Sequence, residues 1–348
     1  MDFSALTAPP RPDERTFLRM PAGSFATYVA NVLIGVLGAF ALGIGTWMAV
    51  SSSAAGRPVT ATMYLILALI AIALIAGAII RTLYRRRRYG VRSVVMVPRL
   101  PAFAAANGLR LEAESTDIPV SIIEPTPSMK ILDRRVRSRL RPADFDPTAP
   151  AAFEVGDFHW RADYGGGNRG IADYVIGYLA VRLPRTLPAI LLQSRAPGGS
   201  IRVADTTQVL SLEGDWDRHF TLYCPTGYER DALQIMTPDV MAAMIDGAAG
   251  WTAETAGDWL LFTLRRPFAV SDASDYERAF HLVEVARDFR EQAEHYSDAR
   301  VGNRSLDVVA AAGSTLRGGR SWAVIAAFIA PFAFVALFLV LPMLAGGR

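Results

Sequence analysis

Cysteine occurs once in the 348 residues, at Cys224, and lysine once, at Lys130. A lone cysteine excludes an intramolecular disulfide, and with it the framework of a small secreted domain, and it excludes a CxxC redox or zinc motif. With so little lysine, nearly all of the 36 basic residues are arginine, a bias read as compositional background. The four histidines, His159, His219, His281 and His295, show neither HExxH nor any paired metal-ligand spacing. No GxSxG nucleophile elbow and no fixed-period repeat stands out. The sequence therefore names no catalytic residue, no cofactor-binding residue and no metal ligand, and it implies no cofactor.

Long hydrophobic runs are abundant. Residues 25–50 contain no ionisable side chain except Tyr28, residues 61–80 carry no Asp, Glu, Lys, Arg or His, and residues 322–344 supply a third run. As a helix, 25–50 would extend roughly 39 Å at about 1.5 Å per residue, enough for a hydrocarbon core of about 30 Å. Three transmembrane helices are expected, two near the N-terminus and one near the C-terminus. A removable leader is not expected, because 24 residues precede the first run and it exceeds the usual apolar segment of about 7 to 15 residues.

Direction follows from arginine. Arg11, Arg15 and Arg19 precede the first run, Arg57 alone stands between the first two, and Arg81, Arg85, Arg86, Arg87, Arg88, Arg92 and Arg99 follow the second. Basic flanks stay in the cytoplasm. The expectation is a multi-pass protein of the bacterial inner membrane, with the N-terminus and the large middle segment cytoplasmic and the C-terminus outside. Arg85, Arg86, Arg87 and Arg88 would stop the second helix and could touch anionic lipid. Membrane lipid is thus the first expected partner, with protein partners or self-association beside it. No charged residue lies inside the three runs, which argues against a transport path.

Residues 100–320 carry 24 basic against 30 acidic residues, so nucleic acid is not an expected partner. Strand patterns dominate. LRLEAE at 109–114 and FHWRAD at 158–163 alternate apolar and polar residues, and YVIGYLAVRL at 174–183 is apolar on both faces, as in a central strand. Further strands are expected at 189–193, 208–213, 219–223, 231–236 and 258–264. GGGNRG at 165–170 lacks the Lys and Ser or Thr of a P-loop and reads as a hairpin connection between 158–163 and 174–183.

Two helices are marked by their starts. Thr237, Pro238 and Asp239 supply a capping hydroxyl, a preset φ and a carboxylate at the positive end of the dipole. Ser274 and Glu277 match a capping box ahead of a stripe made by Leu282, Val285, Phe289 and Tyr296, opposite Glu284, Arg287, Glu291 and Glu294. Residues 1–24 read as an unstructured tail and 311–321, AAGSTLRGGRS, as a linker. The expected fold class is an α+β cytosolic domain, over 100–310, with a mostly antiparallel sheet, anchored by the three transmembrane helices.

Asp215, Asp217 and His219 in GDWDRHF would share one strand face and could form a ligand set or an acid and base pair. Gly214 argues for a break, and Leu212, Trp216 and Phe220 would make the opposite face apolar. Cys224 has no evident base and reads as a small buried hydrophobe.

Residues 210–246 resemble a pattern found in a family of uncharacterised bacterial, actinobacterial-type, membrane proteins that carry a domain of unknown function. The matching residues are Gly214, Asp215, Trp216, Phe220, Tyr223, Thr237, Pro238 and Met241, with Ile235 and Met236 where the family has leucines. The resemblance implies the membrane-anchored layout and no catalytic residue. The functional expectation is an interaction or scaffold module, not an enzyme; the alternative is a membrane-tethered enzyme or ligand sensor with a pocket in the α+β domain.

Overall fold

Among the described residues nine strands form one sheet in which every neighbouring pair is antiparallel, in the order β1-β2-β3-β4-β9-β8-β5-β7-β6. The strands are β1 Leu109–Ser115, β2 Lys130–Pro142, β3 Phe153–Asp163, β4 Ile171–Arg182, β5 Leu191–Ser194, β6 Val209–Leu210, β7 Phe220–Tyr223, β8 Thr252–Ala256 and β9 Trp259–Leu264. The helices are α1 Ser4–Thr7, α2 Leu100–Ala106, α3 Trp216–His219, α4 Glu229–Ile235, α5 Pro238–Gly247 and α6 Ala273–His295. The computed structural model describes residues 1–7, 43, 46–47, 50–51, 53–56, 62, 72, 76–77, 99–116, 130–150, 152–163, 171–199, 204–268, 273–301 and 308–317. Two compact units are present. Met1–Leu18 with Ser93–Arg320 contains the sheet, and Arg19–Arg92 with Ser321–Arg348 is the other.

The anchoring by three transmembrane helices is corrected: among the described residues no helix is long and apolar enough to cross a membrane. The longest described helix, α6, has 23 residues, but Glu284, Arg287, Glu291 and Glu294 are exposed on it while Leu282, Val285 and Phe289 are buried in the core. A crossing helix needs about 20 predominantly apolar residues, and α6 is amphipathic instead. The transmembrane and inner-membrane description falls on the same finding, and so does the orientation with the N-terminus and large domain cytoplasmic and the C-terminus outside. The expected runs at 25–50 and 61–80 lie almost wholly outside the described residues; the run at 322–344 and Arg85, Arg86, Arg87 and Arg88 lie entirely outside them.

The chain 174–183 is central, as its two-sided apolarity requires. Leu179 and Val181 of β4 pack with Leu140, Val155, Leu260 and Phe262 and with helix residues Phe103, Val240, Met244, Leu282 and Phe289. On the other face Ile176, Tyr178 and Ala180 join Val136, Phe158, Trp160, Trp259 and Leu261. Each fully buried large apolar side chain contributes about 1.5–3 kcal/mol, so β4 sits where both faces gain. β3 and β4 pair from Phe153 with Val181 to Asp163 with Ile171, the expected hairpin; its connection, 165–170, lies outside the described residues.

β2, with five arginines in thirteen residues, was not anticipated. Its apolar residues break the period-two rule because the register against β3 shifts between Arg137 and Leu140, where Ser138 adopts φ 52°. The bulge turns Leu140 towards the helices although Val136, four residues earlier, belongs to the opposite face. Left-handed backbone costs a residue with a Cβ about 1–2 kcal/mol, which the sheet sustains at this point.

Thr237 caps α5 as expected, its hydroxyl accepting from Val240 N–H. Of residues 231–236, expected as a strand, 231–235 belong instead to α4, whose first turn carries Glu229 and Asp231 and whose Ala232 and Ile235 are buried three apart, and Met236 caps its end. The first residues also depart from the expected tail. Leu6 of α1 is buried, Phe3 stacks on Phe103 at 5.4 Å, and Arg99 Nη1 donates to Leu6 O at 2.8 Å.

The expected linker is likewise seated. Ala189 N–H donates to Gly313 O at 2.8 Å and Arg317 N–H to Gln208 Oε1 at 2.8 Å. Gly313 lies so close to Tyr228 that a Cβ there would fall 2.3 Å from the ring. Asp298 organises the approach: Ala310 N–H, Arg300 N–H and the Tyr228 hydroxyl all donate to its carboxylate, and the Arg300 guanidinium pairs with it at 3.1 Å. Burial opposes the charge, but these donors hold the Asp298 carboxyl down to about 2.

A folded pKa below the unfolded value of about 3.9 stabilises the fold above that value, and the contribution disappears as pH falls through the folded pKa. Denaturant unfolding is therefore expected to show about 2 kcal/mol of stability from Asp298 at neutral pH that is lost towards pH 2. Asp298→Asn is expected to be weaker at neutral pH and to show a flatter acid limb; an unchanged acid limb would refute the assignment.

Candidate functional site

The hydrogen-bond ladder between β5 and β7 runs from Leu191 with Tyr223 to Ser194 with Phe220, and Arg195 N–H extends it by donating to His219 O at 2.9 Å. The chain then turns through Ala196, Pro197 and Gly198 against the Ala249–Gly250 turn that follows α5. Gly198 at φ 133° and Gly250 at φ 81° make that approach possible: a Cβ on Gly198 would lie 2.9 Å from Gly250 O. Beside this contact a cavity of about 230 Å³ is lined by Ser194, Arg195, Ala196, Arg218, His219, Phe220 and Ala249.

The polar groups of the cavity have a common sign. Ala196 N–H and Gly250 N–H both donate to Ser194 Oγ, at 3.2 and 3.0 Å. With its two lone pairs so occupied, the hydroxyl has only its proton left to offer. Arg195 and Arg218 are exposed, and neither forms an ion pair or side-chain hydrogen bond among the described residues. His219 Nε2 lies 3.4 Å from Asp215 Oδ2, which orients the ring. Arg278 stands behind the wall, donating to Ala249 O with its guanidinium 6.0 Å from the Trp251 ring centre. A cavity edged by donors and uncompensated guanidinium groups attracts an anion.

α3 positions two of these groups. Gly214 at φ 72° ends the extended chain, as expected, and the next turn folds as helix rather than strand. Trp216 is fully buried and stacks on Phe220 at 5.0 Å, so the exposed side of the same turn presents Arg218 and His219. Asp215 and His219 come together by helical i,i+4 spacing, whereas Asp217 accepts a hydrogen bond from the Ser211 hydroxyl. The one-face arrangement of Asp215, Asp217 and His219 is not formed, and among the described residues no group of His, Cys, Asp and Glu is disposed to hold a metal ion.

Cys224 is buried, and burial, with Glu229 and Asp231 adding to it, pushes its thiol up to about 11. A thiol so disfavoured as thiolate is a poor nucleophile.

A second polar cluster is centred on a buried guanidinium. Arg139, 1% exposed, donates from Nε and Nη2 to Glu112 Oε2 at 3.0 and 2.6 Å and from Nη2 to Ser115 Oγ at 2.7 Å. Its Nη1 lies 3.6 Å from Glu154 Oε2, and Tyr178 donates to Glu154 Oε1 at 2.5 Å. Burial, then the Glu154 charge, raises the Tyr178 phenol well above its ordinary value, so it stays a donor. These groups tie β1, β2, β3 and β4 together.

Ser194, Arg195 and Arg218 were not anticipated. The available signal was the run Ser-Arg-Ala-Pro-Gly-Gly at 194–199, directly after an expected strand. No family model, no curated protein and no solved structure matches the chain.

Proposed function

We propose that the sheet domain is a ligand-binding module that takes a small anion in the cavity between Ser194, Arg195, Arg218 and His219. The observation that carries this is the pair of guanidinium groups, Arg195 and Arg218, that line one cavity without an ion-pair partner among the described residues, while Asp215 and Asp217 of the same turn are engaged with His219 and Ser211. Surface arginines without partners are ordinary; two that line a single concavity together with a donor-only hydroxyl are suited to recognise an anion. The reading follows the ligand-sensor alternative. The scaffold expectation draws less support, because the exposed large apolar residues of the described sheet domain, Met1, Leu132, Val209, Leu233 and Val308, stand singly on different segments of the chain.

Titration calorimetry of the full chain with inorganic phosphate at low ionic strength tests the proposal. Saturable binding is expected, weakened at least tenfold in the double variant Arg195→Gln, Arg218→Gln, and weakened by added salt because the charges are exposed. The variant's unfolding transition is expected to be unchanged. Equal affinity of variant and parent would refute the site.

A further inference from the structure

We infer that the anion is the phosphoryl group of a small-molecule phosphomonoester, bound without being cleaved; this rests on the anion-binding reading and names its ligand. Charge is the first argument. Arg195 and Arg218 bring two positive charges to the cavity, while Asp215 stands beside His219 and Arg278 is committed to Ala249 O. A lone carboxylate would leave one guanidinium uncompensated. A phosphomonoester carries about −1.5 to −2 at neutral pH and three acceptor oxygens on one centre. Three acceptor oxygens match in number the donors that the lining offers, the two guanidinium groups and the Ser194 hydroxyl.

Space is the second. The cavity of about 230 Å³ exceeds the roughly 150 Å³ that accommodates benzene in an engineered protein interior. It has room for more than a bare phosphate, and the exposed Ala196 and Ala249 supply apolar lining for the esterified carbon. The third is the state of the one hydroxyl present. Ser194 Oγ already accepts from Ala196 N–H and Gly250 N–H, so it lacks a free lone pair with which to attack phosphorus. Ser194 is therefore not placed to cleave the ester bond.

The experiment compares four probes on the full chain: glycerol 2-phosphate, inorganic phosphate, succinate, and a phosphoserine-containing peptide. Glycerol 2-phosphate is expected to bind at least as tightly as inorganic phosphate and at least tenfold more tightly than succinate. Each of Arg195→Gln and Arg218→Gln is expected to weaken it about tenfold, equivalent to about 1.4 kcal/mol. Ser194→Ala is expected to weaken it less, and no inorganic phosphate is expected to be released over hours. Succinate binding as tightly, with the same arginine dependence, would leave the anion-binding reading standing and overturn the phosphomonoester. Acceptance of inorganic phosphate with exclusion of glycerol 2-phosphate would overturn it too, and so would binding of the peptide alone, which would point to a protein partner. Release of phosphate in the wild type, lost in Ser194→Ala, would overturn retention of the ester. Failure of every probe to bind would overturn both readings.

Discussion

Arg139→Met is expected to lower the unfolding free energy by about 3–5 kcal/mol, the largest effect of any single polar substitution in the sheet. The guanidinium is 1% exposed and stands between Glu112, Ser115 and Glu154, the last fully buried. Burial works against the Arg139 charge, yet Glu112 and Glu154 raise its pKa above the ordinary arginine value, so the ion persists. Methionine fills a similar volume but leaves Glu154 facing the interior with its main counter-charge gone. Adding Glu154→Gln is expected to recover part of the loss, since the amide oxygen still accepts from Tyr178 and the stranded charge is removed. Urea unfolding of the two single variants and the double variant measures this. Single-variant losses that add without coupling would show that the two charges act independently.

Trp216→Ala is expected to cost about 3–5 kcal/mol and to abolish anion binding together with stability. Trp216 is fully buried in the main core and stacks on Phe220, which itself lines the cavity. Removing it leaves a void beneath the turn that presents Arg218 and His219, so the two side chains lose their fixed origin. Trp216→Phe discriminates packing from polarity. The indole N–H of Trp216 is buried with no hydrogen-bond partner among the described residues, so a phenyl ring forfeits volume but no hydrogen bond. That variant is expected to lose less than about 1.5 kcal/mol and to keep its phosphate affinity within about threefold. Thermal unfolding and calorimetry of the pair report both effects; an alanine variant that binds phosphate normally would remove Trp216 from any role in shaping the site.

Elements whose pattern is local were legible. β4 was marked by its two-sided apolarity, α5 by Thr237 and Pro238, and α6 by the recurrence of Leu282, Val285 and Phe289. β2 was hidden because the bulge at Ser138 changes the parity of its apolar residues halfway along, and because arginines at positions that would ordinarily face solvent or core are balanced by Glu112, Glu114 and Glu154 on neighbouring strands. α4 was read as a strand because DALQIM is short and apolar; its helical state depends on burial of Ala232 and Ile235 against other helices, which no short window contains. The cavity was illegible for a related reason. Its parts come from 194–196, 218–220 and 249, and only the pairing of β5 with β7 and the close approach of Gly198 to Gly250 bring them to one place. The three hydrophobic runs were the plainest signal in the sequence, yet the described helices are amphipathic or short and none could traverse a bilayer.

The bulge in β2 makes that strand intolerant of a change in length. Inserting or deleting one codon between Arg137 and Arg139 would transpose the two sides of everything downstream in the strand. Leu140 would be carried among Glu154 and Tyr178, and the Arg139 guanidinium would be driven under the helices, while substitutions that preserve the count would leave the alternation intact.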